Sequence, residues 1–388
     1  MKHVLFIEDS ICNPFKVCNG ESQRTNLLLQ ACALVADVDV ITFYDKRCAD
    51  DNKTYSLLHA GEISSKKESR FDKLVRLFYL GSPKSFATLS KDKEKLIDSY
   101  VRRKNYDYIV VRYVNQAIEC GLLKYGKRLI VDVDDSPYDA DLRDAKLART
   151  ARNRFYHALL ARFSKRALHS LVRQINTCFF SNFEQSKEFN GVFLPNVPFY
   201  DINTNLSDAL AVKGRMLFIG DFCYAPNIQG ANHFMDHNFP LIKEQCQFAT
   251  IHLVGKCFTN NKKIWESQGA DVMGFVDNIS SEYAEAECVV IPLYTGAGTC
   301  IKVLEAMQMN RPLVTTPVGL RGYGQFFRHT EDLFVAYDDN EFANLIVTLL
   351  TDRNVKLRMS ESAIKKYSQI FTKEHFFDIV KQIMDLAC

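Results

Sequence analysis

The chain has 388 residues, 47% hydrophobic and 24% charged, a composition that excludes a disordered or fibrous protein and leaves room for two domains of ordinary size. No apolar run reaches the roughly 20 residues of a membrane-spanning helix. The net charge of +3 hides an asymmetry: residues 1–200 carry 32 Lys+Arg against 24 Asp+Glu, residues 201–388 carry 17 against 22, and only the first half suits an anionic partner.

The opening MKHVLFIEDS lacks a secretory pattern and the 12 cysteines form no CxxC pair, so reduced thiols in a cytoplasmic chain are expected. HVLFIED (3–9) reads as a buried strand, 21–37 as a helix with Leu27, Leu28, Cys32 and Val35 at helical spacing, and VDVITFY (38–44) as the next strand. The polar stretch 49–105 reads as a mostly helical insertion before the strands YDYIVVRY (106–113) and RLIVDVDD (128–135). Residues 141–173 read as one basic amphipathic helix, nine Lys+Arg to two acids, with Leu147, Phe155, Leu159 and Phe163 as buried positions. NTCFFSN (176–182) and GVFLPNV (191–197) complete a first domain over 1–200.

Residues 201–214 lack periodicity and read as a linker. Alternation resumes at RMLFIGDF (215–222) and continues through ATIHLVG, ADVMGFV, CVVIPLY and PLVTT, defining a second domain over 215–373. An amphipathic helix at about 374–388 is expected to pack back onto the first domain. The predicted class is α/β, two Rossmann-like doubly wound domains with the active site in the cleft between them.

One stretch carries the chemistry: TGAGTCIKVLEAM, 295–307, after a buried strand. A glycine-rich turn from the carboxyl end of a parallel strand into a helix is an anion site. Gly296 and Gly298 admit a phosphate, and the amides of Thr299, Cys300 and Ile301 point at it. Thr299 suits an N-cap, and Asn310 with Pro312 a helix stop. Lys302 and Glu305 then share one face near the amino end. A salt bridge on a capped helix would explain that pair but not the GAGT before it. The stretch is not a P-loop, because GK[ST] is absent.

Together with LFIGDFCYAPNIQG, LVGK, GFVDN and RPLVTTPVGLRGYG, in this order, the stretch resembles the carboxyl-terminal domain of retaining nucleotide-sugar glycosyltransferases. These are the group 1 transferases (family 4) of GT-B fold. The resemblance is close over 217–324 and looser, by strand pattern, in the first half. It implies that Glu305, the second glutamate of the family's E-x7-E motif, accepts hydrogen bonds from the donor ribose. It implies that Thr299, Cys300 and Ile301 cradle the diphosphate, that Phe275 and Val276 line the base pocket, and that Gly220 lies close to the donor. Gly20, with Asn19, falls where backbone amides approach donor phosphate and acceptor; Arg24 points either into the cleft or to solvent. The first glutamate of the motif is replaced by Ala297, and GDFCYAPN lacks the family's usual basic pair. Charge on the leaving diphosphate then falls to Lys302, with Lys256 and Arg321 in reserve.

Asp132-Val-Asp134 spells a DxD, whose alternate residues would share one strand face and suit a metal. The resemblance instead implies a metal-independent enzyme with a D-x-H-D here, Asp134 replacing the histidine. Asp134 and Asp135 are thus candidates for proton transfer or hydroxyl orientation, with strand-end capping the plain alternative.

The resemblance implies transfer of a sugar with retention to a hydroxyl acceptor, in surface-polysaccharide or glycolipid assembly, with the nucleotide sugar as co-substrate and no further cofactor. The basic segments 65–84 and 141–173 suit peripheral contact with anionic lipid and a lipid-linked acceptor, or simply a solvated face. No nucleic-acid signature appears, and no GxGxxG for NAD. A nucleotide-sugar epimerase and a binding subunit without turnover are the alternatives.

Overall fold

The structure, a computed structural model, describes residues 2–8, 13–16, 20–44, 54–63, 86–134, 136–148, 150–198, 210–296 and 298–386. Asn19, Asp135, Ala297, linker residues 201–209 and the basic segment 65–84 lie outside the described residues. The chain divides into two compact units, Met1–Asn196 with Lys373–Cys388, and Val197–Thr372.

In the first unit, strands β1 (Lys2–Glu8), β2 (Ala36–Thr42), β3 (Ser56–Ala60), β4 (Tyr108–Arg112), β5 (Leu129–Asp134), β6 (Thr177–Phe180) and β7 (Val192–Phe193) form one sheet of order β3-β2-β1-β4-β5-β6-β7. Every pairing is parallel. Val4 to Ile7, Ile109 to Val111 and Leu129 to Val131 are all buried, the continuous apolar runs of strands covered on both faces. The helices are α1 (Gly20–Ala33), α2 (Lys91–Val101), α3 (Val114–Glu119), α4 (Pro137–Leu147), α5 (Ala151–Val172) and α6 (Phe183–Glu188). Helix α1 ends four residues earlier than its periodicity predicts, because β2 begins at Ala36, paired with Lys2 of β1. The stretch 49–105, expected to be mostly helical, contributes the strand β3 as well as α2.

The predicted single basic helix is two. Ala148 is extended and Thr150 caps α5, accepting from the Asn153 amide at 3.2 Å. The predicted buried face is also corrected. Phe155, Leu159 and Phe163 are 72%, 42% and 40% exposed, while Leu160, Ala161, Ser164, Ala167, Leu168 and Leu171 are buried. Small residues at 161, 164 and 167 allow close approach, and Ser164 donates to Asp141 of α4, so that stripe turns inward. The side chain of Leu147 lies outside the described residues.

The second unit repeats the plan with β8 (Arg215–Ile219), β9 (Thr250–Val254), β10 (Asp271–Gly274), β11 (Cys288–Ile291), β12 (Leu313–Thr315) and β13 (Phe334–Val335), all parallel, in the order β10-β9-β8-β11-β12-β13. Its helices are α7 (Ala225–His233), α8 (Phe239–Gln245), α9 (Thr259–Ser267), α10 (Ile279–Glu285), α11 (Ile301–Gln308), α12 (Asp339–Thr351) and α13 (Arg353–Ile370). The last helix, α14 (Lys373–Leu386), belongs to the first unit. It buries Phe376, Val380 and Met384, and Tyr108 donates to the Met384 carbonyl at 2.8 Å. No helix among the described residues is long and apolar enough to cross a membrane.

Candidate active site

In an open parallel sheet, ligands bind beyond the carboxyl ends of the strands where the strand order reverses. In the second unit that place lies between β8 and β11. Gly220 follows β8, and the loop 292–300 follows β11. A Cβ on Gly220 would stand 3.1 Å from Cε of Lys302 and 3.0 Å from Nδ2 of Asn227, so the lysine stem lies across the tip of β8. Gly255, at φ 140, comes closer still: its Cβ would meet the Gly220 carbonyl oxygen at 1.8 Å. The Gly255 amide donates to the Gly274 carbonyl at 2.7 Å. Sequence reasoning singled out Gly220 and the GFV stretch 274–276 but overlooked Gly255, although it stands at a strand end in the quoted LVGK. Lys256 and Phe275, each one residue further on, are exposed, Phe275 by 79%, and Val276 is half-buried. The sheet thus brings Gly220, Lys256, Phe275 and the GAGT loop to one edge, on four consecutive strands.

Gly296 and Gly298 adopt φ of 145° and 69°, which side-chain-bearing residues rarely do. Their carbonyls face Arg321, which donates from Nε and Nη2 to Gly298 O at 3.0 and 2.6 Å and from Nη1 to Gly296 O at 3.0 Å. Arg321, expected as a reserve cation for phosphate, is therefore turned to the loop backbone as a brace. In a trans peptide the N–H opposes the C=O, so the Thr299 amide points away from that guanidinium.

The N-cap of α11 is Cys300, not Thr299, and helical geometry starts at Ile301. The Val303 amide is taken by the Cys300 carbonyl at 3.1 Å, leaving Ile301 and Lys302 as the first helical amides without an intrahelical acceptor. Burial raises the Cys300 thiol pKa, opposed by the charge of Lys302 and by the amides of Lys302 and Val303. The helix stops at Asn310, left-handed at φ 52, with its amide on Met307 O at 3.0 Å.

Val303, Leu304, Ala306 and Met307 enter the core, which places Lys302 and Glu305 together on the other face. Glu305 accepts a 3.2 Å hydrogen bond from the Tyr283 hydroxyl of α10, a partner the sequence did not reveal. Burial raises the Glu305 carboxyl pKa, with Lys302 and Tyr283 opposing.

The candidate acids of the first unit sit in an ionic network. Asp132, buried at the end of β5, receives both Nε (2.8 Å) and Nη2 (2.7 Å) of Arg24, and Nε of Arg112 at 3.1 Å. Arg112 also donates to Asp134 at 2.6 Å and to Thr25 at 2.8 Å. Arg24 therefore points into its own unit and not to solvent. It is buried, reaching Asn196 at 2.8 Å with its guanidinium over the Phe376 ring of α14. The strand register slips between Asp132 and Asp134, and Asp134 has φ 52. Simple alternation therefore does not hold, yet both carboxylates converge on Arg112. Burial would raise the Asp132 carboxyl pKa, but Arg24 and then Arg112 hold it below the usual range. A metal reading of the DxD meets two carboxylates already committed to guanidinium groups. Gly20 is the first residue of α1 rather than the end of the preceding loop.

Two parallel-sheet α/β units in tandem, the second with a glycine-rich loop at its switch point, define the GT-B fold. Solved structures share it over the whole chain. HepE of Anabaena in complex with UDP-glucose is similar with a TM-score of 0.63 at 14% identity, covering 100% of each chain. WaaG, a glycosyltransferase involved in lipopolysaccharide biosynthesis, is similar with a TM-score of 0.61 at 14% identity, covering 99% of each. Over 364 residues the chain is 23% identical to an uncharacterized 44.6 kDa protein in the cps region of Klebsiella pneumoniae, with 88% of both covered. Residues 213–352 match the family model for glycosyl transferases group 1. Residues 213–352 are thus similar to the group 1 glycosyl transferases, and the whole chain shares the GT-B fold of those solved structures.

Proposed function

We propose that this protein moves a sugar from a nucleoside diphosphate sugar to a hydroxyl acceptor with retention of configuration, without a metal ion. The observation that carries the reading is Lys302 laid across Gly220 beside the Arg321-braced glycine loop, with Glu305 one turn further along the same helix face. Amides at Thr299, Cys300 and Ile301 and the ammonium of Lys302 offset the charge that develops on the leaving diphosphate. Glu305 takes the ribose hydroxyls. The exposed Phe275 ring, with Val276 and the backbone beside it, receives the base, and Lys256 adds charge at the same edge. The bond from the anomeric carbon to phosphate breaks, that carbon bonds to the acceptor oxygen on the same face, and the acceptor's proton passes to the leaving phosphate. Asp134, held by Arg112 at the carboxyl edge of the first sheet, orients the acceptor hydroxyl. Gly20 brings the start of α1 close to phosphate.

The cps-region relative and the lipopolysaccharide enzyme favour surface-glycan assembly; the proposal adds a cytoplasmic location, a lipid-linked acceptor and peripheral membrane contact. UDP-glucose, the ligand held by HepE, is the first donor to try. Thermal unfolding with a series of UDP- and GDP-sugars tests the reading, because a true donor raises the midpoint by mass action. Release of free nucleotide on adding acceptor separates transfer from epimerisation. No midpoint shift with any nucleotide sugar would overturn the reading. Ala297, in place of the family's first glutamate, favours a second reading, a subunit that binds donor without turnover. Donor binding with no release of nucleotide in the presence of acceptor would support it.

A further inference from the structure

Helix α5 presents a face that the fold of its own unit does not use. Of its 22 residues none is Asp or Glu, and five are Lys or Arg. The residues Ala151 to Leu159 are exposed or half-exposed throughout, so the helix enters its unit only from Leu160 onward. Phe155, Leu159 and Phe163 are spaced by four and form an exposed apolar stripe extending about 12 Å along the axis. Arg162, Arg166 and Arg173 follow Phe155 at i+7, i+11 and i+18, spacings that return to the same side of a helix with 3.6 residues per turn. All three are exposed. Lys165 is tied to Glu188, whereas among the described residues no carboxylate pairs with Arg162, Arg166 or Arg173. The same stretch lines a shallow basic groove of about 610 Å³, formed by Arg162, Lys165, Arg166, His169, Ser170 and Arg173. One outward face thus carries large apolar groups in its first half and unpaired guanidinium groups beside a groove in its second.

We propose that the outward face of α5 is a docking surface for an anionic phospholipid bilayer. Phe155, Leu159 and Phe163 enter the acyl boundary, and Arg162, Arg166 and Arg173 hold lipid phosphates at the groove. A helix lying in the interface needs this division: apolar side chains reach a few ångströms below the headgroups while cations stay level with the phosphates. Charge selects the occupant. A second copy docked face to face would bring these arginines against their own equivalents, and like charges opposed across an interface are unfavourable. A lipid surface supplies many phosphates without requiring a matched shape. The proposal deepens the peripheral membrane contact proposed above by naming its surface, and it is tested apart from glycosyl transfer, because none of these residues belongs to the proposed donor site.

Sedimentation of the full chain with vesicles tests it, comparing pure phosphatidylcholine with phosphatidylcholine containing phosphatidylglycerol. Binding is expected to the anionic vesicles, weakening as salt is raised. The triple variant Phe155→Ser, Leu159→Ser, Phe163→Ser and the triple variant Arg162→Gln, Arg166→Gln, Arg173→Gln should each lose about tenfold or more in partitioning. Both should keep the wild-type unfolding midpoint and donor-induced shift, since the substituted side chains are exposed. Phe155→Trp adds a direct probe against Trp265, the chain's single native tryptophan, which is fully buried. Its emission should move to shorter wavelength on adding anionic vesicles. Wild-type protein that stays in the supernatant would overturn the proposal, as would variants that sediment like wild type. Dimerisation seen by light scattering and abolished by the apolar triple variant, without vesicle binding, would assign the face to a second copy instead. Loss of donor binding with vesicle binding intact would count against the glycosyl-transfer reading alone.

Discussion

Cε of Lys302 lies 3.1 Å from where a Cβ on Gly220 would stand, so helix α11 and the tip of β8 meet at the point where the strand order reverses. Gly220→Ala should push that flexible stem by a few tenths of an ångström, leaving stability nearly unchanged while weakening donor binding about tenfold. Gly255→Ala should behave differently. At φ 140 its Cβ would meet the Gly220 carbonyl, which is backbone and cannot swing aside. A loss of about 2–3 kcal/mol in unfolding free energy is expected, read by denaturant titration. Equal stability of the two variants would remove the distinction.

Arg321→Lys tests the brace. A planar guanidinium reaches the carbonyls of both Gly296 and Gly298 from one position, whereas an ammonium is a point charge on a flexible stem. The variant keeps the charge, so a role in offsetting phosphate would survive it and a role in holding the loop would not. Donor affinity should fall about tenfold by calorimetry, with part of the loss appearing as a larger entropic cost of ordering the loop. Wild-type affinity in the lysine variant would return Arg321 to the role of a simple cation.

The elements of the second unit were legible because each carries its own local signal. Buried strands show as runs of Val, Ile and Leu, GAGT marks a left-handed turn, and Asn310 with Pro312 marks a stop. Glu305 was assigned a ligand role from its motif, but its partner Tyr283 lies 22 residues away with no pattern linking them. The reversal at α5 has a different cause. Phe155, Leu159 and Phe163 have good helical spacing and high hydrophobicity, and periodicity alone favours burying them. Tertiary packing of the Ala161, Ser164 and Ala167 stripe decided otherwise. Arg24 and Asp132 are 108 residues apart, and only the sheet brings them together.

Glu305→Gln should weaken donor binding by about 10- to 100-fold, the value of hydrogen bonds to a charged acceptor, while leaving the fold as stable or slightly more so. The pH dependence has a definite sign. Burial raises the Glu305 pKa in the folded state, so its stabilising contribution belongs to the protonated form. That contribution is complete below the unfolded pKa and is lost as pH rises through the folded one. The proposed ribose recognition needs the carboxylate and should move the other way, improving as pH rises through the same raised value. Calorimetric titration from mildly acidic to neutral pH should show affinity climbing in wild type and staying flat in Glu305→Gln. Parallel profiles would separate Glu305 from the donor.

Asp132→Asn addresses the ionic network of the first unit. It leaves Arg24 and Arg112 buried beside a neutral amide, and breaking a buried pair in this way costs about 3–5 kcal/mol. Because Arg24 and Arg112 hold the Asp132 pKa below its unfolded value, the contribution is present above the unfolded pKa of about 3.9 and disappears as pH falls through the folded one. Wild type should therefore lose stability steeply below about pH 4, while Asp132→Asn starts lower and falls less over the same interval. Adding Arg24→Met to Asp132→Asn removes one stranded cation and keeps an apolar stem over Phe376, so the double variant should recover part of the loss. Strictly additive effects in this cycle would mean that Arg24 and Asp132 are neighbours without coupling. A double variant more stable than Asp132→Asn alone would show that the network's stability rests on charge compensation rather than on either side chain's packing.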